Sequence, residues 1–206
     1  LWHLQRNFYQ QRGIEAWSQG TVPQYVTSHP FIAQAYAEVV LGYLRDLNDP
    51  GTPSPLDLQQ PLYIVELGAG TGAVTRRLVA DHPRAALTLI EREQQLARRL
   101  ARSYSHARVR DGCVHDRIDC LLEQPPRTVA VSSLPFRSLP EDVANATGAA
   151  IERFLLADPA RRLVQYSYGL REPFAFRDAR LSWRRVERVW RNVPPAIVWI
   201  AVANES

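Results

Sequence analysis

The sequence contains no lysine and no methionine, and only two cysteines in 206 residues. All 25 basic residues are therefore arginine. That usage points to a GC-rich coding sequence rather than to a mechanism. The missing initiator methionine points to a fragment, a processed chain or an incomplete gene model. Cys113 and Cys120 stand at no metal or redox spacing, so the expectation is free thiols in a reducing cytosol and no metal site. No stretch approaches the roughly 20 apolar residues of a membrane-spanning helix. The opening Leu1-Trp2-His3-Leu4-Gln5-Arg6 has no apolar h-region of the kind a signal peptide carries. There is no internal repeat and no low-complexity tract.

What is present suits a packed domain. Hydrophobic residues make up 46% of the chain and charged residues 22%, a balance that excludes wholesale disorder. The length is one domain's worth with room for an appendage. A net charge of +4 and a pI near 9.4 admit a phosphate-bearing partner, either nucleic acid or an anionic membrane surface. A solvated arginine-rich surface explains the charge equally well.

Residues 1–50 read as a helical N-terminal arm. Ser28 is placed to cap a helix starting at Pro30, with Phe31, Ala35, Tyr36, Val39, Val40 and Tyr43 on one apolar stripe. The proline- and glycine-dense run Asn48–Pro55 continues neither a helix nor a strand, so it separates the arm from a core over residues 51–206. In that core strand-like and helical segments alternate. Strands are expected over Leu62–Leu67, Ala86–Ile90, Ala107–Val109, Thr128–Val131 and Leu163–Tyr166. Helices are expected over Gly72–Ala80, Arg92–Tyr104, Arg117–Glu123 and Pro140–Leu156. Two strands, Trp183–Val189 and Ile197–Val202, close the chain without an intervening helix. This order predicts an α/β, doubly wound, mainly parallel seven-stranded sheet ending in an antiparallel hairpin.

The run YIVELGAGTG, Tyr63 to Gly72, is the strongest local motif. A buried strand ends at Leu67, and Gly68, Gly70 and Gly72 follow before a helix. Such glycines let the backbone turn tightly and approach a ligand. The next strand ends in Glu91, about 20 residues on, where this fold places the carboxylate that receives ribose hydroxyls. A helix-starting acid is the plainer reading of Glu91. The G-x-G-x-G spacing, preceded by Glu66, suits a cationic amino-acid moiety better than a pyrophosphate.

ELGAGTG looks like motif I of class I S-adenosylmethionine (SAM)-dependent methyltransferases. The run Val65–Gly72, then LTLIERE, VSSLPFRSLP, RLVQYSYG and RVWRNVPPAIVWI, resembles in order the soluble, membrane-associated phospholipid N-methyltransferases of bacteria. The likeness covers roughly Pro61 to Ile200. The N-terminal segment TVPQYVTSHPFIAQAYAEVV is similar instead to the leader of other bacterial SAM-dependent methyltransferases. The resemblance implies methyl transfer from SAM, yielding S-adenosylhomocysteine, to the amine of phosphatidylethanolamine. It implies a cytoplasmic protein lying peripherally on the inner face of the membrane, with nucleic acid an unlikely partner. The implied cofactor residues are Glu66, Gly68, Ala69, Gly70, Gly72, Glu91, Cys113 and Ser132. Cys113 is a departure, because the family carries an adenine-contacting Asp there and a thiol is at best a weak acceptor. Asp111 and Asp116 are the nearby carboxylates able to substitute.

Ligands in this fold sit outside the carboxyl ends of the strands. Ser133-Leu134-Pro135-Phe136 stands at such an end and resembles the Asn/Asp/Ser–x–Pro–aromatic motif of methyltransferases acting on amino nitrogen. The Ser133 hydroxyl and Leu134 carbonyl are expected to accept N–H bonds, Pro135 to fix the backbone, and Phe136 to offer its ring to a cation. Tyr168 is expected to line the acceptor pocket, and Arg191 to meet a lipid phosphate or solvent. A turn for Ser132-Ser133 and a core role for Phe136, Tyr166, Tyr168, Trp190 and Trp199 are the plainer readings. Leu1–Gln10 forms an aromatic-rich amphipathic pattern suited to a bilayer interface or to packing on the domain, and Tyr25–Pro30 suits a cover over the cofactor. The rivals are an rRNA adenine-N6 methyltransferase and a non-catalytic protein that kept the fold.

Overall fold

The computed structural model describes residues 30–47, 60–168, 171–191 and 195–204. The expectations for Leu1–Gln10, Tyr25–His29, the Ser28 cap and the Asn48–Pro55 linker lie outside the described residues.

Helix α1, Pro30–Leu47, opens on proline, whose fixed φ and missing N–H suit the first helical position. Its Ala35, Tyr36, Val39, Val40 and Tyr43 are buried as the stripe predicts; Phe31 is not. Strands and helices then alternate: β1 Tyr63–Leu67, α2 Ala73–Asp81, β2 Ala86–Glu91, α3 Gln94–Ser103, β3 Arg108–Asp111. A 3₁₀ turn, His115–Arg117, leads into the short α4, Ile118–Leu122. Next come β4 Val129–Ser132, α5 Glu141–Leu156, β5 Arg162–Tyr168, β6 Leu181–Val189 and β7 Ala196–Ala203.

The seven strands form one sheet in the order β3-β2-β1-β4-β5-β7-β6. The first five are parallel. β7 inserts between β5 and β6 and runs antiparallel to both, with an irregularity in β6 between Arg185 and Glu187. This is the expected architecture. β3 extends past its predicted end to Asp111, and the Gly112 N–H then donates to the Glu91 carbonyl at 3.0 Å. Both edge strands, β3 and β6, are rich in exposed charge, which discourages pairing with other chains.

Side chains alternate across the sheet and build two cores. On the first face Ile64, Leu89, Val131 and Val164 pack with α1 and with Val74, Leu78 and Leu100 of α2 and α3. Helix α1, assigned by its sequence to an arm, thus shares a core with the sheet. On the second face Val65, Leu67, Ala130 and Leu163 pack with Ile151, Phe154 and Leu155 of α5. Phe174, Phe176 and Trp183 stack beside them. Strand order reverses between β1 and β4, which opens a crevice at their carboxyl ends.

Candidate active site

The β1–α2 loop borders that crevice. Gly68 and Gly70 have φ of 70° and 55°, the left-handed region that other residues enter at a cost. They serve different ends. A Cβ on Gly68 would stand 2.8 Å from Leu134 Cδ2, so this glycine lets the β4 end lie against the loop. Among the described residues a Cβ on Gly70 would meet nothing closer than the Gly68 carbonyl at 3.9 Å, so those residues leave the space over Gly70 open. The N–H groups of Gly68 and Ala69 both donate to the Ile90 carbonyl, at 2.9 and 3.2 Å. The Ala69 side chain is in the first core, so it reaches the crevice only through its backbone. Gly72 lies against Leu100 and Tyr104 and starts α2.

Glu91 ends β2 beside this loop. Its Oε2 accepts the Gly70 N–H at 2.7 Å and its Oε1 the Glu93 N–H at 2.8 Å. Both readings of Glu91 are therefore compatible: it braces the loop and the start of α3, and each oxygen keeps a second lone pair for a vicinal diol.

Glu66 is 1% exposed and accepts a short hydrogen bond from the Thr75 hydroxyl. Burial pushes its carboxyl up to about 8, against the Thr75 bond that lowers it, with nearby Glu91 adding to the rise. A carboxyl that burial holds neutral is a place where an incoming cation would be favoured, since the cation would lower its pKa again. Together with the space over Gly70 and the free lone pairs of Glu91, it fits the amino-acid and ribose parts of a nucleoside such as SAM.

The β4 end is organised by a residue the sequence did not single out for the site. The Tyr36 hydroxyl of α1 donates to the Ser132 carbonyl at 2.6 Å and accepts the Tyr166 N–H at 2.7 Å. It takes the place of the next rung between β4 and β5 and lets β4 turn away. The Ser133 N–H then donates to the Leu67 carbonyl at 3.0 Å, tying that turn to β1. Ser132 is fully buried and its Oγ accepts the Leu134 N–H at 3.3 Å, so its side chain closes the turn. The Pro135 carbonyl accepts from Ser138 and Leu139 at 2.7 and 3.2 Å, starting the next turn.

Two expectations give way here. The Leu134 carbonyl already accepts from Gln165 Nε2 at 2.9 Å and from the Phe136 N–H at 3.0 Å, so both its lone pairs are engaged. Phe136 is 7% exposed and stacks on Phe174, 4.2 Å between centroids, so it is a core aromatic. The acceptors left over are Ser133 Oγ and Gln165 Oε1, both buried and without a hydrogen-bond partner among the described residues. The Gln165 amide orientation follows from its surroundings: Nε2 faces the Leu134 and Tyr166 carbonyls, so the oxygen must point elsewhere. A glutamine inside the apolar strand RLVQYSY was the available sequence signal.

Tyr168 lies on the Tyr36 face, edge-on to Tyr166 at 5.3 Å, while Gln165 faces the opposite side. Tyr166 and Trp199 are buried, and Trp199 Nε1 donates to Ser167 Oγ at 2.9 Å. Trp190 is not core: it is 67% exposed. Val189 pairs with Ala196, which pairs with Tyr168, so Trp190 emerges at the carboxyl edge that holds the crevice. The Arg188 guanidinium lies 4.6 Å over its ring, and Arg191 lies 5.7 Å from the exposed ring of Phe31. Cys113 sits partly buried in the turn after β3. Asp111 points to Arg117, 3.8 Å away. Among the described residues no helix is long and apolar enough to cross a membrane.

No protein-family model matches the chain, and no curated protein matches it in sequence. Solved structures match it in fold. One is the 1,6-didemethyltoxoflavin-N1-methyltransferase of Burkholderia thailandensis, solved with 1,6-didemethyltoxoflavin and S-adenosylhomocysteine. It is 15% identical over 97% of this chain and 87% of its own, with a TM-score of 0.57. The plantazolicin methyltransferase BpumL, solved with S-adenosylhomocysteine, is 10% identical over 85% of each chain, with a TM-score of 0.58. The CurJ carbon methyltransferase is 12% identical over 73% of this chain and 50% of its own, with a TM-score of 0.55. Their named reactions place methyl groups on nitrogen and on carbon, so the shared architecture leaves the acceptor open. At these identities the likeness is one of fold, and that fold is the class I SAM-dependent methyltransferase fold.

Proposed function

We propose that the chain transfers a methyl group from SAM to an amino nitrogen, with the headgroup of phosphatidylethanolamine at a membrane surface as acceptor. The observation that carries the amine reading is the pair of buried oxygens without partners, Ser133 Oγ and Gln165 Oε1. A buried acceptor left unpaired costs about 1–3 kcal/mol, so it is kept where a ligand supplies the donor. Ser133 follows the last residue of β4, Ser132, which pairs in register with Gln165 inside β5, and two such acceptors suit a nitrogen carrying two N–H groups.

SAM supplies an electrophilic methyl group on a sulfonium that departs as a neutral thioether. Glu91 accepts the ribose hydroxyls while holding the loop through Gly70. Glu66 ionises when an ammonium group arrives beside it, since a neighbouring cation lowers a carboxyl pKa. Gly70 keeps its side of the crevice clear of any side chain. Ser133 and Gln165 accept the two N–H bonds of a neutral primary amine, which turns its lone pair toward the methyl group; orientation supplies most of the acceleration. Tyr36 holds Ser132 and Tyr166 in place and so sets the spacing of these acceptors. The methylated ammonium that forms releases its proton to solvent, so each methyl added leaves one N–H fewer and the site's grip weakens toward the fully methylated product.

The lipid reading rests on the carboxyl edge, where exposed Trp190 and Phe31 lie beside Arg188 and Arg191. Aromatic rings at headgroup level and guanidinium groups for phosphate are the chemistry of an anionic bilayer interface. The test is incubation with methyl-labelled SAM and three acceptors: vesicles containing phosphatidylethanolamine, vesicles of phosphatidylcholine with an anionic lipid, and rRNA. Label in phosphatidylethanolamine is the expected result. Label in rRNA alone overturns the lipid reading, and absence of SAM binding by calorimetry overturns the enzyme reading.

A further inference from the structure

The turn after β3 holds more chemistry than methyl transfer uses. The sulfur of Cys113, a ring nitrogen of His115 and a carboxylate oxygen of Asp116 all lie within 4.8 Å of one another. His115 Nδ1 is 3.3 Å from the hydroxyl of Thr147, a buried residue of α5. With the Nδ1 proton on that hydroxyl, the Nε2 lone pair is free, and Nε2 stands 3.6 Å from Asp116 Oδ1. Metal-bound histidines are held this way, with one nitrogen donating to the protein and the other facing the ion.

The distances fit a small ion. Around a tetrahedral zinc ion, with bonds of about 2.0–2.3 Å, ligand atoms stand about 3.3–3.8 Å apart. The His115–Asp116 pair is already at that separation, and the sulfur lies within 4.8 Å of both partners. The backbone of the turn is formed in advance: the Asp116 N–H donates to the Cys113 carbonyl and the Arg117 N–H to the Val114 carbonyl, each at 3.1 Å. Buried Val114 anchors it. The nearby Arg117 is turned away onto Asp111, whose carbonyl accepts from its Nε at 2.6 Å. Asp116 is exposed, which provides an entry path.

We propose that Cys113, His115 and Asp116 bind one thiophilic divalent cation of the zinc class, with a fourth position open to solvent. The donor set of thiolate, imidazole and carboxylate selects zinc-like ions over magnesium or calcium, which take oxygen ligands. The site does not depend on the methyl-transfer reading. Sequence spacing hides it because Cys-x-His-Asp matches no familiar ligand pattern; the turn and Thr147 create the convergence.

The test is titration of the full chain, stripped with chelator, with Co²⁺ as a spectroscopic probe. One equivalent should bind with a thiolate-to-cobalt charge-transfer band and tetrahedral visible bands, and Zn²⁺ should displace it. Cys113→Ser should abolish the charge-transfer band, His115→Gln and Asp116→Asn should weaken binding about tenfold or more, and Cys120→Ser should change nothing. In the unmutated chain, Zn²⁺ should protect Cys113 and not Cys120 from alkylation, read peptide by peptide. A missing band, a band that survives Cys113→Ser, or unprotected Cys113 overturns the proposal.

Discussion

The two ends of the sheet treat buried polar groups in opposite ways. At the amino end Arg161, 4% exposed, donates to the carbonyls of Phe154 and Leu122 at 3.2 Å each and to that of Gln124. Those carbonyls lie at or just beyond the last turns of α5 and α4, where backbone acceptors have no helical partner and a cation is favoured. Tyr43 and Thr128 likewise turn their hydroxyls onto the carbonyls of Ala160 and Pro125, at 2.5 and 2.6 Å. The atoms left over there are nitrogens, His82 Nε2 and Arg161 Nε. At the carboxyl end the leftover atoms among the described residues are oxygens, Ser133 Oγ and Gln165 Oε1, and burial holds the Glu66 carboxyl neutral. One end uses polar side chains to finish the fold. The other keeps acceptors in hand beside an open crevice.

The largest effect that would break this contrast is at the amino end. Arg161→Met leaves two buried carbonyls and one half-buried carbonyl without their donor and should destabilise the chain by about 4 kcal/mol. Thermal melts should show the loss, while the fraction still folded binds SAM as before. A loss of SAM affinity in folded protein would mean the two ends are not separate in function.

Next in size is the proton on Glu66. In the unfolded chain its carboxyl ionises near 4.5, whereas in the folded chain it holds its proton up to about 8. The folded state therefore binds the extra proton between those values, and stability falls as pH rises across that window. The term is on the order of 3 kcal/mol between pH 5 and pH 8. Glu66→Gln should melt close to the unmutated chain at pH 5, melt above it at pH 8, and bind SAM more weakly at both. Parallel melting curves at the two pH values would refute the buried, neutral carboxyl.

The architecture was largely legible in the sequence because period and punctuation agree. Apolar runs such as Tyr63–Leu67 and Val129–Ser132 alternate with amphipathic helices, and the two closing strands lack a crossover. The placement of Gly68, Gly70 and Glu91 beside one another was legible for the same reason, since it follows from a strand–turn–helix joint. What stayed hidden depends on contacts distant in the chain. Tyr36 read as one more apolar stripe residue, and only the fold sets its hydroxyl between residues 96 and 130 positions away. The Leu134 carbonyl looked free until Gln165 was seen to fill it. Trp190 looked like core because the sequence cannot tell that it follows the last buried residue of β6.

A smaller effect tests the loop itself. Gly70→Ala places a methyl group in the open space and forces alanine into a left-handed conformation, a strain of about 1–2 kcal/mol. SAM affinity should fall about tenfold, measured by calorimetry, with little change in acceptor KM. Gly68→Ala should instead disturb Leu134 and lower the melting temperature, because its Cβ meets a side chain rather than a vacant space.

The smallest expected change is the sharpest. Ser133→Ala removes one hydroxyl that has no partner among the described residues. If that hydroxyl meets no ligand, losing it relieves an unpaired buried group, and the melting temperature stays level or rises with turnover unchanged. If it receives an amine N–H, the same relief comes with a fall of about tenfold in kcat, because the acceptor nitrogen loses one of its two anchors. SAM affinity should hold in either case, since Glu66, Gly70 and Glu91 are untouched. The informative result is therefore the combination: a protein no less stable, with SAM binding intact, that methylates amines more slowly. Unchanged kcat would return Ser133 to the turn and leave Gln165 as the lone acceptor at this edge.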